Sequence, residues 1–250
     1  LVSDIVVIPA RMGSSRFPGK PLAKILDTPM LGWVISHAVE AVGVENTFVA
    51  SCDQEILSYA ASLSVRGVLT SASHERASDR TAEAVNVLEA EGKKIDLVLM
   101  LQGDEPAIPS AALLSVFERF GADEDVKIVN LSGPILSPAG SSDPNAIKVV
   151  AREDGTALYF SRLPIPHGGD FSHGDYRKQV CAIGFRREAL RDFAELSEGV
   201  LERCESIDML RWLENGRDVH LVRISEATHP VDVEADISVV ESILSGQQLS

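Results

Sequence analysis

The run Ile95-Asp96-Leu97-Val98-Leu99-Met100-Leu101 constrains the fold more than any other stretch, because it is apolar almost without interruption. A strand with one wet face alternates apolar and polar residues. One that does not alternate is covered on both faces, as in the parallel sheets of α/β proteins. Ile5-Val6-Val7-Ile8, bounded by Pro9, reads the same way, and Thr47-Phe48-Val49-Ala50 and residues 65–69 supply two further short strands. Helical patterns separate them: residues 30–39 with Gly43 as a stop, a helix beginning near Glu55, one over 81–89 and one over 110–120. Strand and helix in alternation predict an α/β fold with a doubly wound, mostly parallel sheet.

The middle of the chain changes character. Residues 126–131 and 147–150 read as strands with no obvious helix between them, and the link over 132–145 is rich in Ser, Pro and Gly. Residues 167–178 are polar and weakly patterned. An amphipathic helix over 202–213, stopped by Asn215-Gly216, a strand over 219–224 and a last helix after Asp236 complete the reading. A chain of 250 residues with 45% hydrophobic content can bury one large core. The organisation expected is a single domain over 1–250, with 126–190 contributing a smaller appended lobe.

Open α/β sheets bind ligands outside the carboxyl ends of their strands. The loop after the first strand carries Arg11, Arg16 and Lys20, the hydroxyls of Ser14 and Ser15, and Gly13 and Gly19, with no acid among them. In a chain with 37 acidic and 23 basic side chains such a cluster runs against the background. It is neither a Walker A loop nor a Gly-x-Gly-x-x-Gly fingerprint, yet its cations and backbone amides suit a polyphosphate. The run over 95–101 delivers Gln102-Gly103-Asp104-Glu105-Pro106 to the same edge. An acidic pair there is a good place for Mg²⁺, which takes carboxylate and phosphate oxygens together. Asp104 as a cap for the helix over 110–120 is the alternative, weakened by the intervening Pro106 and Pro109. Asp53 either caps the helix near Glu55 or contacts a nucleotide. The stretch over 70–80 is ambiguous by charge alone, although its hydroxyls and arginines resemble a second ligand loop.

The net charge of −14 and a pI near 4.8 argue against nucleic-acid or anionic-membrane partners. Cys52, Cys181 and Cys204 lack metal-ligand spacing and read as reduced thiols. The first residues carry no export signal and no apolar run approaches ~18 residues, so a cytoplasmic protein is expected.

Pro9-Ala10-Arg11-x-x-Ser14-x-Arg16-x-Pro18-Gly19-Lys20-Pro21-Leu22, together with Gln102-Gly-Asp-Glu-Pro106, resembles the 3-deoxy-manno-octulosonate cytidylyltransferases and the related acylneuraminate cytidylyltransferases. The likeness runs from about Ile5 to Glu241. It implies a nucleotide-diphospho-sugar transferase-like Rossmann variant that joins CTP to a keto-deoxy sugar acid, giving a CMP-sugar for surface polysaccharide synthesis and pyrophosphate. On this resemblance Pro9, Ala10, Arg11, Ser14, Ser15, Arg16 and Lys20 wrap the triphosphate, and Ser78, Arg80, Gln102 and Asp104 complete the nucleotide site. Asp104 and Asp232 share Mg²⁺, with Asp236 as a helix cap, and Lys20, Arg11, Asp104 and Asp232 are the catalytic set. The sugar side takes Lys148, Arg162, Gln179, Ile183, Glu205 and Met209. Lys148 and Arg162 either balance charge on the sugar acid or form ordinary surface pairs. A homodimer through the smaller lobe is implied as well.

The chain departs from the family pattern at identifiable places. Arg76 and Ala77 replace a Ser-Gly pair in the stretch beside the nucleotide, Gln179 and Ile183 stand where His and Tyr are usual, and Met209 stands for Gln. All but the first pair fall on the presumed sugar side, and they bear on which acid is accepted. The rival readings are a nucleotidyltransferase for another nonulosonate or a sugar phosphate, and a non-catalytic nucleotide-binding sensor.

Overall fold

The computed structural model describes residues 3–14, 16–174, 176–226 and 228–246. In chain order, β1 (Ser3–Pro9) leads through the basic loop to a small hairpin, β2 (Lys24–Ile25) and β3 (Thr28–Pro29). Then come α1 (Met30–Val42), β4 (Thr47–Ser51), α2 (Gln54–Ser62), β5 (Arg66–Leu69), α3 (Ala77–Ala90), β6 (Ile95–Leu101) and α4 (Ser110–Ala122). The second half holds β7 (Ile128–Pro134), α5 (Pro138–Ser142), β8 (Lys148–Ala151), β9 (Ala157–Ser161), β10 (Arg177–Arg186), α6 (Arg187–Glu195), α7 (Val200–Glu205), α8 (Met209–Glu214), β11 (His220–Arg223) and α9 (Asp236–Leu244).

The main sheet has the order β11-β7-β10-β6-β1-β4-β5. β6, β1, β4 and β5 are parallel, β10 runs antiparallel between β6 and β7, and β11 is parallel to β7. The expected mostly parallel α/β sheet is therefore present. The reason is visible residue by residue. Ile5, Val7, Val98 and Met100 enter the core on one face with α3, α6 and α8, while Val6, Ile8, Leu99 and Leu101 enter the core on the other with α1, α2 and α4. Successive strand residues point to opposite faces, so two cores require the unbroken apolar runs.

Of the stretch 126–190, β7 and β10 are integral strands of the main sheet, and β8 and β9 form an antiparallel pair attached to it through Lys148 and Lys178. A five-residue helix, α5, occupies the link in which the pattern had predicted none. The single helix expected over 202–213 is two short ones, α7 and α8, separated at Ser206, which adopts a left-handed conformation with φ 54°. At ~100° per residue, Ile207, Met209, Leu210, Arg211 and Trp212 would spread around most of one helix, yet all five are buried. Breaking the helix lets them share one interior. Arg211 ties the halves together, its Nε and Nη2 each donating at 2.7 Å to the fully buried Glu202.

α9 and the β2–β3 hairpin meet in a third, small cluster, where Val240 and Val231 pack with Ile25 and Met30. This cluster brings the carboxyl-terminal segment against the base of the loop that follows β1. Among the described residues no helix is long and apolar enough to cross a membrane.

Gly184, in the middle of β10, has no room for a side chain, because an added Cβ would overlap Val116 and Phe120 of α4. Gly184→Ala is expected to cost about 1–3 kcal/mol through overpacking, read as a lowered urea midpoint at unchanged slope. A wild-type midpoint would contradict this packing.

Candidate active site

The loop after β1 is fixed at both ends before any ligand is considered. Ala10 donates its amide to the carbonyl of Ala50, and Met12 donates its amide at 2.7 Å to Asp53 Oδ2. Asp53 sits at the amino end of α2 but makes no side-chain bond to that helix. Its carboxylate holds the loop instead, which is neither of the roles read from the sequence. Gly103 lets the end of β6 come close: a Cβ there would lie 3.3 Å from both the Ala10 Cβ and the Pro9 carbonyl. Gly19, at φ 75°, turns the chain into a short 3-10 helix, Lys20–Leu22, that starts with the lysine.

Lys20 Nζ lies 2.7 Å from Asp104 Oδ2, 3.9 Å from Asp232 Oδ1 and 2.9 Å from the Val231 carbonyl. The Val231 amide in turn donates to the Asp104 carbonyl at 2.9 Å, so main chain and side chain register the two acidic segments together. Arg16 donates at 2.7 Å to both Asn145 Oδ1 and Asp232 Oδ1. Burial raises the pKa of Asp232, and repulsion from Asp104 raises it further, against the pull of Lys20 and Arg16. Asp236 accepts the amides of Asp232 and Val233 at 2.7 and 2.8 Å. It thereby fixes the turn that presents Asp232, rather than bonding the amides of α9 itself.

These residues line a cleft of about 420 Å³. From the first loop it takes Pro9, Ala10, Arg11, Ser14, Arg16 and Lys20; Ser15 lies outside the described residues. Gln102, Asp104 and Asp232 form the acidic side, and Arg80, Arg162, Gln179 and Ile183 also face it. Arg11 is exposed and, among the described residues, has no side-chain partner. Arg80 is buried and donates to Thr70 Oγ1 at 2.6 Å and to the His74 carbonyl at 3.3 Å. Gln179 donates at 2.6 Å to Asn130 Oδ1, and Asn130 donates to the carbonyls of Leu131 and Val180, a closed network under the cleft floor.

Four of the residues expected at the site do not line the cleft. Ser78 is buried in the first turn of α3. Lys148 is fully buried and donates to the carbonyls of Asp143 and Arg162, with burial pushing its pKa down. Glu205 accepts from Ser161 Oγ at 2.8 Å and from the Arg162 amide at 2.9 Å. Met209 belongs to the core beneath α8. Lys148 and Glu205 thus brace the end of β9 from behind. Among the described residues neither Lys148 nor Arg162 forms a surface ion pair, since carbonyl oxygens satisfy both.

His74 and Arg76, from the stretch 70–80 read as a possible second ligand loop, also line the cleft, as do Cys181, Ser206 and Asp208, which sequence reasoning missed. Burial raises the pKa of Asp208 and pushes the Cys181 thiol well up. Glu105, read from the sequence as half of the acidic pair, is 2% exposed. Its Oε1 accepts the Cys181 amide at 3.1 Å while Oε2 has no partner among the described residues, and burial raises its pKa to about 7 despite the nearby Lys178.

A mostly parallel sheet whose first loop supplies cations and whose central strand supplies an acid beside them defines a nucleotidyltransferase-type α/β protein. The family model described as Cytidylyltransferase matches residues 5–222. Curated relatives named 3-deoxy-manno-octulosonate cytidylyltransferase include those of Nitratidesulfovibrio vulgaris, 39% identical over 95% of this chain and 94% of its own, and Oleidesulfovibrio alaskensis, 37% identical over 95% of each. A relative of the same name from Escherichia coli is 32% identical over 96% of each chain. The chain belongs to this 3-deoxy-manno-octulosonate cytidylyltransferase family. A solved structure of CMP:2-keto-3-deoxy-manno-octonic acid synthetase complexed with CTP superposes with a TM-score of 0.86 at 32% identity, covering 98% of this chain and 99% of that one. A putative glucose-1-phosphate thymidylyltransferase from Bacillus anthracis shares the fold alone, with a TM-score of 0.64 at 13% identity over 99% and 98% of the two chains.

The buried carboxyl of Glu105 gives a pH signature. Its folded pKa, about 7, lies above the ordinary 4.5, so its contribution to stability is whole below that ordinary value and is lost as pH rises through about 7. Glu105→Gln removes the loss. Relative to wild type, the variant should gain stability between about pH 5 and about pH 8, by at most on the order of 3 kcal/mol, in urea unfolding at the two pH values. A parallel pH dependence in both proteins would contradict the assignment.

Proposed function

We propose that this chain transfers CMP from CTP to a 2-keto-3-deoxy sugar acid of the octulosonate type, releasing pyrophosphate and supplying a CMP-sugar for surface polysaccharide synthesis. The observation that carries the reading is the convergence of Lys20 on Asp104 and Asp232 at the mouth of a cation-lined cleft. The anomeric hydroxyl of the acid attacks the α-phosphorus, and the bond to the pyrophosphate oxygen breaks. Negative charge grows on the phosphoryl and leaving oxygens. Cations already fixed around those oxygens therefore stabilise the transition state more than the ground state.

Arg11, Arg16 and Lys20 are assigned to the triphosphate, with Ser14 and Ser15 and the loop amides beside them. Arg11 has no side-chain partner to leave among the described residues. Gln102 and Arg80 complete the nucleotide side, with Ser78 supporting from behind; Gln179, Ile183 and Arg162 face the acceptor. Lys148, Glu205 and Met209 act there only through the residues they hold.

Asp104 and Asp232 suit a hard divalent cation, Mg²⁺ in this reading. Both offer carboxylate oxygen, both are less than a quarter exposed, and their mutual repulsion calls for positive charge between them. When bound there, Mg²⁺ would neutralise phosphoryl oxygens and ease deprotonation of the attacking hydroxyl. Among the described residues no group of three His, Cys, Asp or Glu could hold a metal, so substrate oxygens would complete its coordination.

The same reading assigns work in the cytoplasm as a homodimer. Leu136, Leu158 and Leu163, at 72%, 54% and 71% exposure within the stretch 126–190, support pairing through that lobe.

Asp104→Asn and Asp232→Asn are each expected to lower pyrophosphate release from CTP and 3-deoxy-manno-octulosonate by roughly 10²-fold or more, with near-native melting because neither side chain packs in a core. A wild-type rate in either variant would overturn the metal assignment. Release with a sugar phosphate but not with any octulosonate or nonulosonate would overturn the acceptor class.

A further inference from the structure

Away from the phosphate loop the cleft has three arginines, and two are fully engaged. Arg162 donates from Nε, Nη1 and Nη2 to the carbonyls of Glu205, Pro144 and Ser206, at 2.6, 2.8 and 3.2 Å. Arg80 is 3% exposed and bonded on both terminal nitrogens. Arg80 cannot turn to a ligand without leaving a buried hydroxyl unpaired, which is costly where water is excluded, and Arg162 would have to give up three carbonyl bonds at once.

Arg76 is different. The family resemblance sets it beside the nucleotide, yet from the start of α3 it reaches across to the turn between α7 and α8, whose Ser206 also accepts from Arg162, with its side chain 28% exposed. Nη1 lies 3.1 Å from Ser206 Oγ and Nη2 3.1 Å from Glu198 Oε1, and Glu198 is itself 41% exposed. Nε is 3.9 Å from Glu202, whose two oxygens already accept from Arg211. The contacts of the two terminal nitrogens with Ser206 and Glu198 are open to solvent and contribute little, so a ligand carboxylate that meets those nitrogens bidentately can replace them at small cost while Nε stays toward the buried Glu202.

Ser206 sets the direction of that fork. A non-glycine residue held at φ 54° and ψ 47° is sterically disfavoured. In this turn its hydroxyl accepts from Arg76 while its carbonyl accepts from Arg162, so one residue links arginines from the two sides of the acceptor end. That end also holds Asp208. An acceptor carboxylate entering a cleft that already contains Asp104, Asp232 and Asp208 needs a positive charge of its own, and the phosphate-loop cations are committed to the nucleotide.

We propose that Arg76 is the specificity-determining cation for the acceptor, pairing with the carboxylate of the sugar acid, and that Ser206 is the positioning residue that aims it. The inference rests on the reading of the chain as a transferase of CMP to a sugar acid.

The test is steady-state kinetics with CTP and 3-deoxy-manno-octulosonate. Arg76→Ser is expected to raise KM for the sugar acid about tenfold or more while KM for CTP stays within about twofold. Arg76→Lys should recover part of the loss, and Ser206→Ala should raise the same KM by a smaller factor. The methyl ester of the acid supplies a second readout: wild type should prefer acid over ester, and Arg76→Ser should abolish the preference. A rise confined to KM for CTP, unchanged constants, or a preserved preference for the acid would each overturn the role of Arg76. An unchanged KM for the sugar acid in Ser206→Ala would overturn the positioning role. If wild type made no CMP-sugar from any sugar acid, the transferase reading would fall and this inference with it.

Discussion

The ammonium of Lys20 between Asp104 and Asp232 is the contact on which the site depends. Two carboxylates held side by side, each less than a quarter exposed, repel one another, and burial removes much of the solvent that would screen them. One cation from a segment distant in sequence resolves this. Each participant arrives by its own route: Lys20 through the left-handed Gly19, Asp104 from the end of the central strand β6, and Asp232 on a turn fixed by Asp236. The hydrogen bond from Val231 to the Asp104 carbonyl and the apolar cluster of Ile25, Met30, Val231 and Val240 keep these routes in register.

Electrostatics at two scales explain why such a site suits a nucleotide in an acidic protein. The chain as a whole carries a net charge of −14, which offers no general attraction to polyanions. Arg11, Arg16 and Lys20 reverse that sign locally, at the carboxyl edge of the sheet, where the loop amides add to the positive field. Discrimination is thereby local: a small anion that fits the cleft is attracted, whereas an extended one meets the acidic exterior.

What the sequence reveals follows from what periodicity can carry. The unbroken apolar runs of β1 and β6 require burial on both faces, so the parallel sheet, the loop at its edge and Asp104 beside it were all legible. Asp232 was placed by resemblance, because nothing in its local sequence separates a metal ligand from a helix cap. Asp53 and Lys148 were misjudged for one physical reason: each bonds to a backbone amide or carbonyl contributed by another segment, and main-chain partners leave no mark in the identity of residues. The break at Ser206 was hidden likewise. The pattern over 202–213 is helical in each half, and only the need to bury residues on incompatible faces splits it. Arg76 was legible only as a departure beside the nucleotide, because its reach to the α7–α8 turn is a contact between segments distant in sequence.

The account is tested most directly by measuring Mn²⁺ binding, through water-proton relaxation, to wild type and Lys20→Met without nucleotide. If Lys20 is the cation that balances Asp104 and Asp232, its removal leaves the paired carboxylates to the metal, and the variant should bind Mn²⁺ about tenfold tighter or more. Equal or weaker binding by Lys20→Met would contradict it.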